Sequence, residues 1–131
     1  MDNKIIAVIA LLAIVLAGCS SDASTTTTIS KDGSFSEKEC KQKGLQDKVL
    51  MIESKYCGHC QETKPGFEQA LEESGMTAEF YDLAEPEEQK ELMDEYGISV
   101  QYTPTFVFGC NYYVGAYEKE QYVGFLDDMG E

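Results

Sequence analysis

The fold is decided by residues 48–60, which read KVLMIESKYCGHC. An apolar run of strand length leads through a short polar turn into Cys57-Gly58-His59-Cys60, where a helical pattern begins. A helix start offers unpaired N–H groups and the positive end of the helix dipole, and both stabilise a thiolate. The two-residue spacing lets the second thiol reach back and close a disulfide. We therefore interpret Cys57 and Cys60 as a redox-active pair.

The length and the charge restrict the class of protein. A chain of 131 residues has room for one domain of roughly 100 residues and an appendage. The formal net charge is -14, and the sequence contains no arginine. Phosphate contacts need clustered Lys and Arg side chains, so this composition argues against nucleic-acid binding. The acidic surface indicates solubility.

The N-terminus has the pattern of an export signal. A short charged head at residues 1–4 precedes the apolar residues 5–15, and small residues follow, so that residues 1–18 are interpreted as a signal peptide. An uncleaved anchor is the alternative. The segment Leu16-Ala17-Gly18-Cys19 resembles the lipobox of prokaryotic lipoproteins, which implies cleavage before Cys19 and lipid on its sulfur. We expect an extracytoplasmic, membrane-anchored protein in an oxidising compartment that permits disulfides.

The rest of the chain divides into a tether and a domain. Residues 19–34 are small, polar and without periodicity, which indicates a lipid-anchored disordered tether. A first strand near residues 27–29 is the alternative. Residues 35–131 have the order βαβαββα after one short helix, which predicts an α/β fold with a mixed sheet and helices on both faces. The main predicted helices are residues 60–74, 86–96 and 118–129.

Four features together resemble the thioredoxin superfamily over residues 36–131. The tetrapeptide at residues 57–60 is identical to the active-site motif of protein disulfide isomerases. Pro65 stands where thioredoxins carry the proline that kinks the active-site helix. Tyr96-Gly97-Ile98 ends the middle helix as in thioredoxins. Thr103-Pro104-Thr105, followed by an apolar strand, resembles the cis-proline segment of the bacterial Dsb-type branch.

This resemblance implies a role for each matching residue. Cys57 would be the exposed nucleophile, and Cys60 would be the buried thiol that releases a mixed disulfide. The imidazolium of His59 would favour the Cys57 thiolate. Thr103 and Pro104 would lie against the disulfide, joined by a cis bond. The expected substrates are protein thiols and disulfides, with no organic cofactor and with a membrane redox partner.

Each of these implied roles has a simpler alternative. His59 could be a surface histidine at a helix start, and Pro104 an ordinary proline at a strand entry. The whole domain could be a non-catalytic binding module whose Cys57–Cys60 bond is only structural. A structural disulfide resists dithiothreitol and iodoacetamide in the native state, whereas a catalytic one is readily reduced.

The chain departs from the family pattern at one chemically important position. Thioredoxins and disulfide isomerases place a buried acid six residues before the first active-site cysteine, and here that residue is Met51. Glu53 and Lys55 are the candidates that could replace it as proton acceptor for Cys60. Tyr56 stands where the family usually has tryptophan.

The remaining cysteines predict a second disulfide. With Cys19 lipidated and Cys57 paired with Cys60, Cys40 and Cys110 are left. In a thioredoxin-like sheet both would lie at the end opposite the active site, so we expect a structural bond between them. Two unrelated free thiols are the alternative. A structural zinc site usually needs two close pairs of ligands, and these single cysteines do not supply them, so no metal site is expected.

Overall fold

A computed structural model describes residues 25–130. The predicted signal peptide, Cys19 and residues 20–24 lie outside the described residues. The strands are β1 (Thr27–Ile29), β2 (Gly33–Ser34), β3 (Val49–Glu53), β4 (Glu79–Asp82), β5 (Ile98–Val100), β6 (Thr105–Phe108) and β7 (Asn111–Val114). The helices are α1 (Glu37–Lys43), α2 (Gly58–Ser74), α3 (Pro86–Tyr96) and α4 (Lys119–Met129). Within residues 25–130, no helix has the length and apolar character needed to cross a membrane.

The main sheet has five strands in the order β2-β7-β6-β3-β4. β3 lies between β6, which is antiparallel to it, and β4, which is parallel. Residues 49–52 of β3 are all buried because helices cover both faces of the sheet. Leu50 and Ile52 face the core that includes Leu92 of α3, whereas Val49 and Met51 face the core that includes Phe67 of α2. This arrangement confirms the predicted α/β fold with a mixed sheet.

Local sequence explains where the helices begin and end. The Ser36 side chain caps α1 by accepting a hydrogen bond from the backbone N–H of Glu39 at 3.1 Å. Pro86 opens α3, where its missing N–H costs no helical bond. Gly97 ends the same helix in the left-handed conformation, with φ at 63°, which a residue with a Cβ adopts less readily.

The predicted tether is wrong for its described part. β1 pairs in parallel with β5, and Ile29 is 1% exposed within the core. β2 pairs with β7, and the carboxylate of Asp32 accepts hydrogen bonds from the Val114 N–H and the Tyr117 hydroxyl. The domain therefore includes residues 25–34, and the alternative of a strand at residues 27–29 is the one observed. Strands of two or three residues are too short to show periodicity, and their partners lie far along the chain.

The predicted element order lacked three strands. The structure contains the predicted βαβαββα series as β3, α2, β4, α3, β6, β7 and α4, with α1 before it. It adds β1, β2 and β5, each of two or three residues. The active-site helix also begins at Gly58, two residues before the predicted start. This earlier start places Cys57 at the end of the helix.

Candidate active site

Cys57 lies at the junction of β3 and α2. Its backbone has the extended angles of an N-cap residue, with φ at -97° and ψ at 107°. The Cys57 Sγ accepts a hydrogen bond from the backbone N–H of Cys60 at 3.1 Å. That N–H is one of those that a helix start leaves without a helical partner. The helix therefore donates to the position where a thiolate of Cys57 would carry its charge.

Cys57 and Cys60 form a disulfide, with their Cα atoms 5.2 Å apart. The two residues differ in exposure. Cys57 is half-buried, whereas Cys60 is 0% exposed and lies in an apolar cluster with Met51, Phe67 and Phe106. A second protein can therefore contact the sulfur of Cys57 and cannot contact that of Cys60.

The Thr103–Pro104 segment lies against Cys57, although it is 46 residues away along the chain. The carbonyl oxygen of Thr103 is 3.5 Å from the Cys57 Sγ, and the peptide bond to Pro104 is cis. The Pro104 carbonyl accepts a hydrogen bond from the Gly115 N–H at 2.8 Å, which joins the segment to the end of β7. The fold thus brings together Cys57, Cys60, Thr103 and Pro104.

The two residues between the cysteines are exposed on the first turn of α2. His59 Nδ1 lies 3.9 Å from a carboxylate oxygen of Glu62, and both side chains are about four-fifths exposed. An effect of the imidazolium on Cys57 stays a prediction. A Cβ added at Gly58 would meet nothing within 4 Å. Local packing therefore does not require glycine at this position.

Two exposed aromatic side chains directly precede residues of the site in the sequence. Tyr56, which precedes Cys57, is 83% exposed. Tyr102, which precedes Thr103, is 59% exposed. Exposed aromatic rings are common at protein contact sites. Their exposure could be found only from the structure, because aromatic residues elsewhere in this chain are mostly core residues.

A buried polar network supports the site from the α4 side. The Tyr122 hydroxyl, on a fully buried ring, accepts a hydrogen bond from the Tyr117 N–H at 2.9 Å and contacts the Thr63 hydroxyl. Thr63, one turn along α2 from Cys60, donates to the Tyr117 carbonyl at 3.0 Å. Burial raises the pKa of Tyr122. No local pattern in the sequence indicates this network.

Tyr122→Phe is expected to lower the free energy of unfolding by about 1–3 kcal/mol, because the Tyr117 N–H is left without its partner. Urea unfolding of the oxidised protein measures the change. The control is Tyr102→Phe at an exposed ring, which we expect to change stability by less than about 0.5 kcal/mol. Equal stabilities for the two variants would contradict a structural role of the network.

Cys40 and Cys110 also form a disulfide, with their Cα atoms 5.4 Å apart. Cys40 is in α1 and Cys110 is in the turn between β6 and β7. This turn lies beside the start of β3, since the Gly109 N–H donates to the Lys48 carbonyl at 2.8 Å. Cys57 follows the other end of β3. The strand therefore separates the two disulfides by roughly 16 Å.

The chain is similar to known proteins over most of its length. The sequence model of the family described as thioredoxin matches residues 27–128. Chloroplastic thioredoxin z is a similar solved structure, at 18% identity and a TM-score of 0.49, covering 81% of this chain and 95% of its own. Thioredoxin Mala s 13 of Malassezia sympodialis is another, at 27% identity and a TM-score of 0.46, covering 78% of this chain and 89% of its own. Among curated proteins, none matches the sequence.

Proposed function

The chain belongs to the thioredoxin family, and we propose that it is a thiol:disulfide oxidoreductase that acts on other proteins through Cys57 and Cys60. The observation that carries the proposal is the unequal exposure of the two sulfurs at a helix N-terminus. Cys57 can react with a sulfur of another protein, whereas Cys60 can react only with Cys57. A bond that serves stability alone does not require this difference.

The reaction follows from that difference. In the reducing direction, the Cys57 thiolate attacks one sulfur of a substrate disulfide, and the other substrate sulfur leaves as a thiolate. The product is a mixed disulfide between Cys57 and the substrate. Cys60 then attacks the Cys57 sulfur, the Cys57–Cys60 bond forms, and the second substrate sulfur leaves. The substrate is reduced to a dithiol while the protein is oxidised, and the reverse sequence oxidises a substrate dithiol.

The surroundings of Cys57 support contact with an extended substrate chain. The Thr103 carbonyl lies beside the sulfur and can accept a hydrogen bond from a substrate backbone. Tyr56 and Tyr102, which precede Cys57 and Thr103 in the sequence, present exposed rings. These features favour main-chain recognition with apolar contacts and therefore a broad range of protein substrates.

The reactivity of the native disulfide tests the proposal. Dithiothreitol should reduce Cys57–Cys60 without denaturant, and iodoacetamide should then label Cys57 rapidly near neutral pH. A bond that resists reduction until the protein unfolds would instead indicate a binding module with a structural disulfide. Equilibrium with glutathione then gives the direction. A potential near about -200 mV or above favours oxidation or isomerisation, and one near about -270 mV or below favours reduction.

The proposal includes export and attachment to the membrane through Cys19, with a membrane protein as redox partner. It rests on the signal pattern of residues 1–18 and the lipobox-like segment. Cys19 and Thr27 are eight positions apart, a span of at most ~28 Å in extended chain. A lipid on Cys19 would therefore hold the domain close to the membrane surface.

The point where the chain enters the domain supports one orientation at the membrane. The Thr27 N–H donates to the Gly97 carbonyl at the end of α3, and the Tyr96 hydroxyl beside it donates to Glu79 at the start of β4. Cys57 lies past the opposite end of the parallel strand β3. The chain that leads from Cys19 would thus join the domain at the end of the sheet away from the active site. Substrates would approach from the aqueous side, and a membrane partner would need an extramembrane domain.

A further inference from the structure

The second step of the proposed reaction poses a problem at Cys60. Its thiol must lose a proton before it can attack the mixed disulfide, since the thiolate is the nucleophile. Cys60 is 0% exposed, and Met51, Phe67 and Phe106 in its cluster have no ionisable group. Apolar surroundings disfavour the charged form of a thiol. A proton acceptor at the edge of this cluster would therefore speed the second step.

Most ionisable groups near the site are exposed or already bonded to groups other than Cys60. Lys55 is half exposed and pairs with Glu85 at 2.7 Å, and this hydrogen bond raises the pKa of the lysine. His59 and Glu62 lie on the exposed side of α2. An Asp82 carboxylate oxygen accepts from the backbone N–H groups of Lys55 and Ala84. The Tyr122 hydroxyl is held within the buried network described above.

Glu53 is placed differently. It follows Met51 by two residues in β3, so that both side chains project from the face that α2 covers. Only 15% of the Glu53 side chain is exposed. The Lys64 Nζ lies 3.0 and 3.2 Å from its two carboxylate oxygens and 4.8 Å from the centre of the Phe80 ring. Lys64 is one helical turn beyond Cys60, so its side chain holds the carboxylate against the same side of the helix.

We propose that the Glu53 carboxylate accepts the proton of Cys60 and that Lys64 positions it for this step. The proposal rests on the oxidoreductase function. The proton passes from the Cys60 sulfur to Glu53, which leaves a thiolate and a carboxylic acid. The thiolate forms the bond to Cys57, and the substrate thiolate leaves with the electron pair of the broken bond. Glu53 then returns its proton to the solvent.

The two thiol steps can be timed separately with 5,5′-dithiobis(2-nitrobenzoate). The full chain carries Cys19→Ser in every variant and is reduced until two thiols per chain titrate, so that Cys40–Cys110 stays oxidised. Attack by Cys57 releases the first coloured thiolate, and attack by Cys60 on the mixed disulfide releases the second. At pH 7, Glu53→Gln should slow the second release about 10- to 100-fold and leave the first unchanged. The deficit should shrink as the pH rises toward 9, because hydroxide replaces the lost base.

Three further variants complete the test. Glu85→Gln removes the same charge from the other ion pair at this edge and should leave both releases unchanged. Glu53→Asp keeps a carboxylate and should recover much of the second release. Lys64→Gln should slow it less than Glu53→Gln does. Thermal unfolding of each variant shows that the fold is kept.

The outcomes separate this inference from the proposed function. A second release in Glu53→Gln that matches the Glu85→Gln control in rate and pH profile overturns the role of Glu53 alone. A second release slowed equally in Glu53→Gln and Glu53→Asp at all pH values also overturns it, since a packing defect would do the same. A wild-type chain with no fast first release overturns the proposed function instead.

Discussion

Cys57→Ser is expected to lower the rate of thiol–disulfide exchange by about a thousandfold or more. Cys60→Ser is expected to form mixed disulfides that persist. The reason is the difference in exposure. Cys57 can meet a partner sulfur, and only Cys60 can release the bond that results. Each variant is expressed in cells, exchange is stopped with acid, free thiols are then alkylated with iodoacetamide at neutral pH, and the adducts are separated without reductant.

The two variants control for each other. Both lose the same Cys57–Cys60 bond, so any loss of stability from breaking it is shared. The adducts of Cys60→Ser should disappear on addition of dithiothreitol, and the double variant should form none. Adducts in equal amounts from both single variants would show that the assignment of the nucleophile is wrong.

Loss of the Cys40–Cys110 bond is expected to lower the free energy of unfolding by about 4 kcal/mol in the chain-entropy model. The bond closes a loop over a sequence separation of 70 and joins α1 to the turn after β6. Cys40→Ala with Cys110→Ala removes it without adding a buried hydroxyl at Cys40, which is 0% exposed. Urea unfolding with the active-site disulfide oxidised measures the change.

The single variant Cys110→Ala provides the matched control. Either replacement breaks the same bond. The free energy of unfolding should therefore fall by a similar amount in the single and the double variant, and a second replacement should add little. Alkylation of reduced Cys57 should keep its wild-type rate, since β3 separates the two sites. Labelling of Cys40 and Cys110 in the oxidised, denatured wild-type protein would contradict the bond itself.

Local patterns made much of the fold predictable. The apolar run before the polar turn predicted a strand, and β3 is observed there with residues 49–52 buried. The predicted bounds of α3 match the observed helix Pro86–Tyr96, because proline at the first turn and glycine after the last are strong local signals for the start and end of a helix. The mixed sheet followed from the order of these longer elements. The predictions of β3 and α3 use only information contained in neighbouring residues.

The missed elements are those whose stability comes from distant partners. Thr27–Ile29 resembles a linker by composition, and it becomes a strand because β5 offers hydrogen bonds some seventy residues later. The Tyr122 network likewise joins α2, α4 and the loop between β7 and α4. No spacing rule in the sequence connects such groups, since their contact depends on how complete elements pack.

The features of the candidate site also fall into local ones, which the sequence indicates, and ones that depend on tertiary packing. By itself the sequence indicated the candidate chemistry, because two thiols separated by two residues at a helix start, a Thr-Pro segment and the absence of an acid at Met51 are all local facts. Tertiary structure alone decided that Glu53 is mostly buried and pairs with Lys64 of the active-site helix, whereas Lys55 pairs with Glu85. The physical reason is that reactivity depends on burial and on neighbours across the chain, and both are set only when the sheet and its helices close on one another.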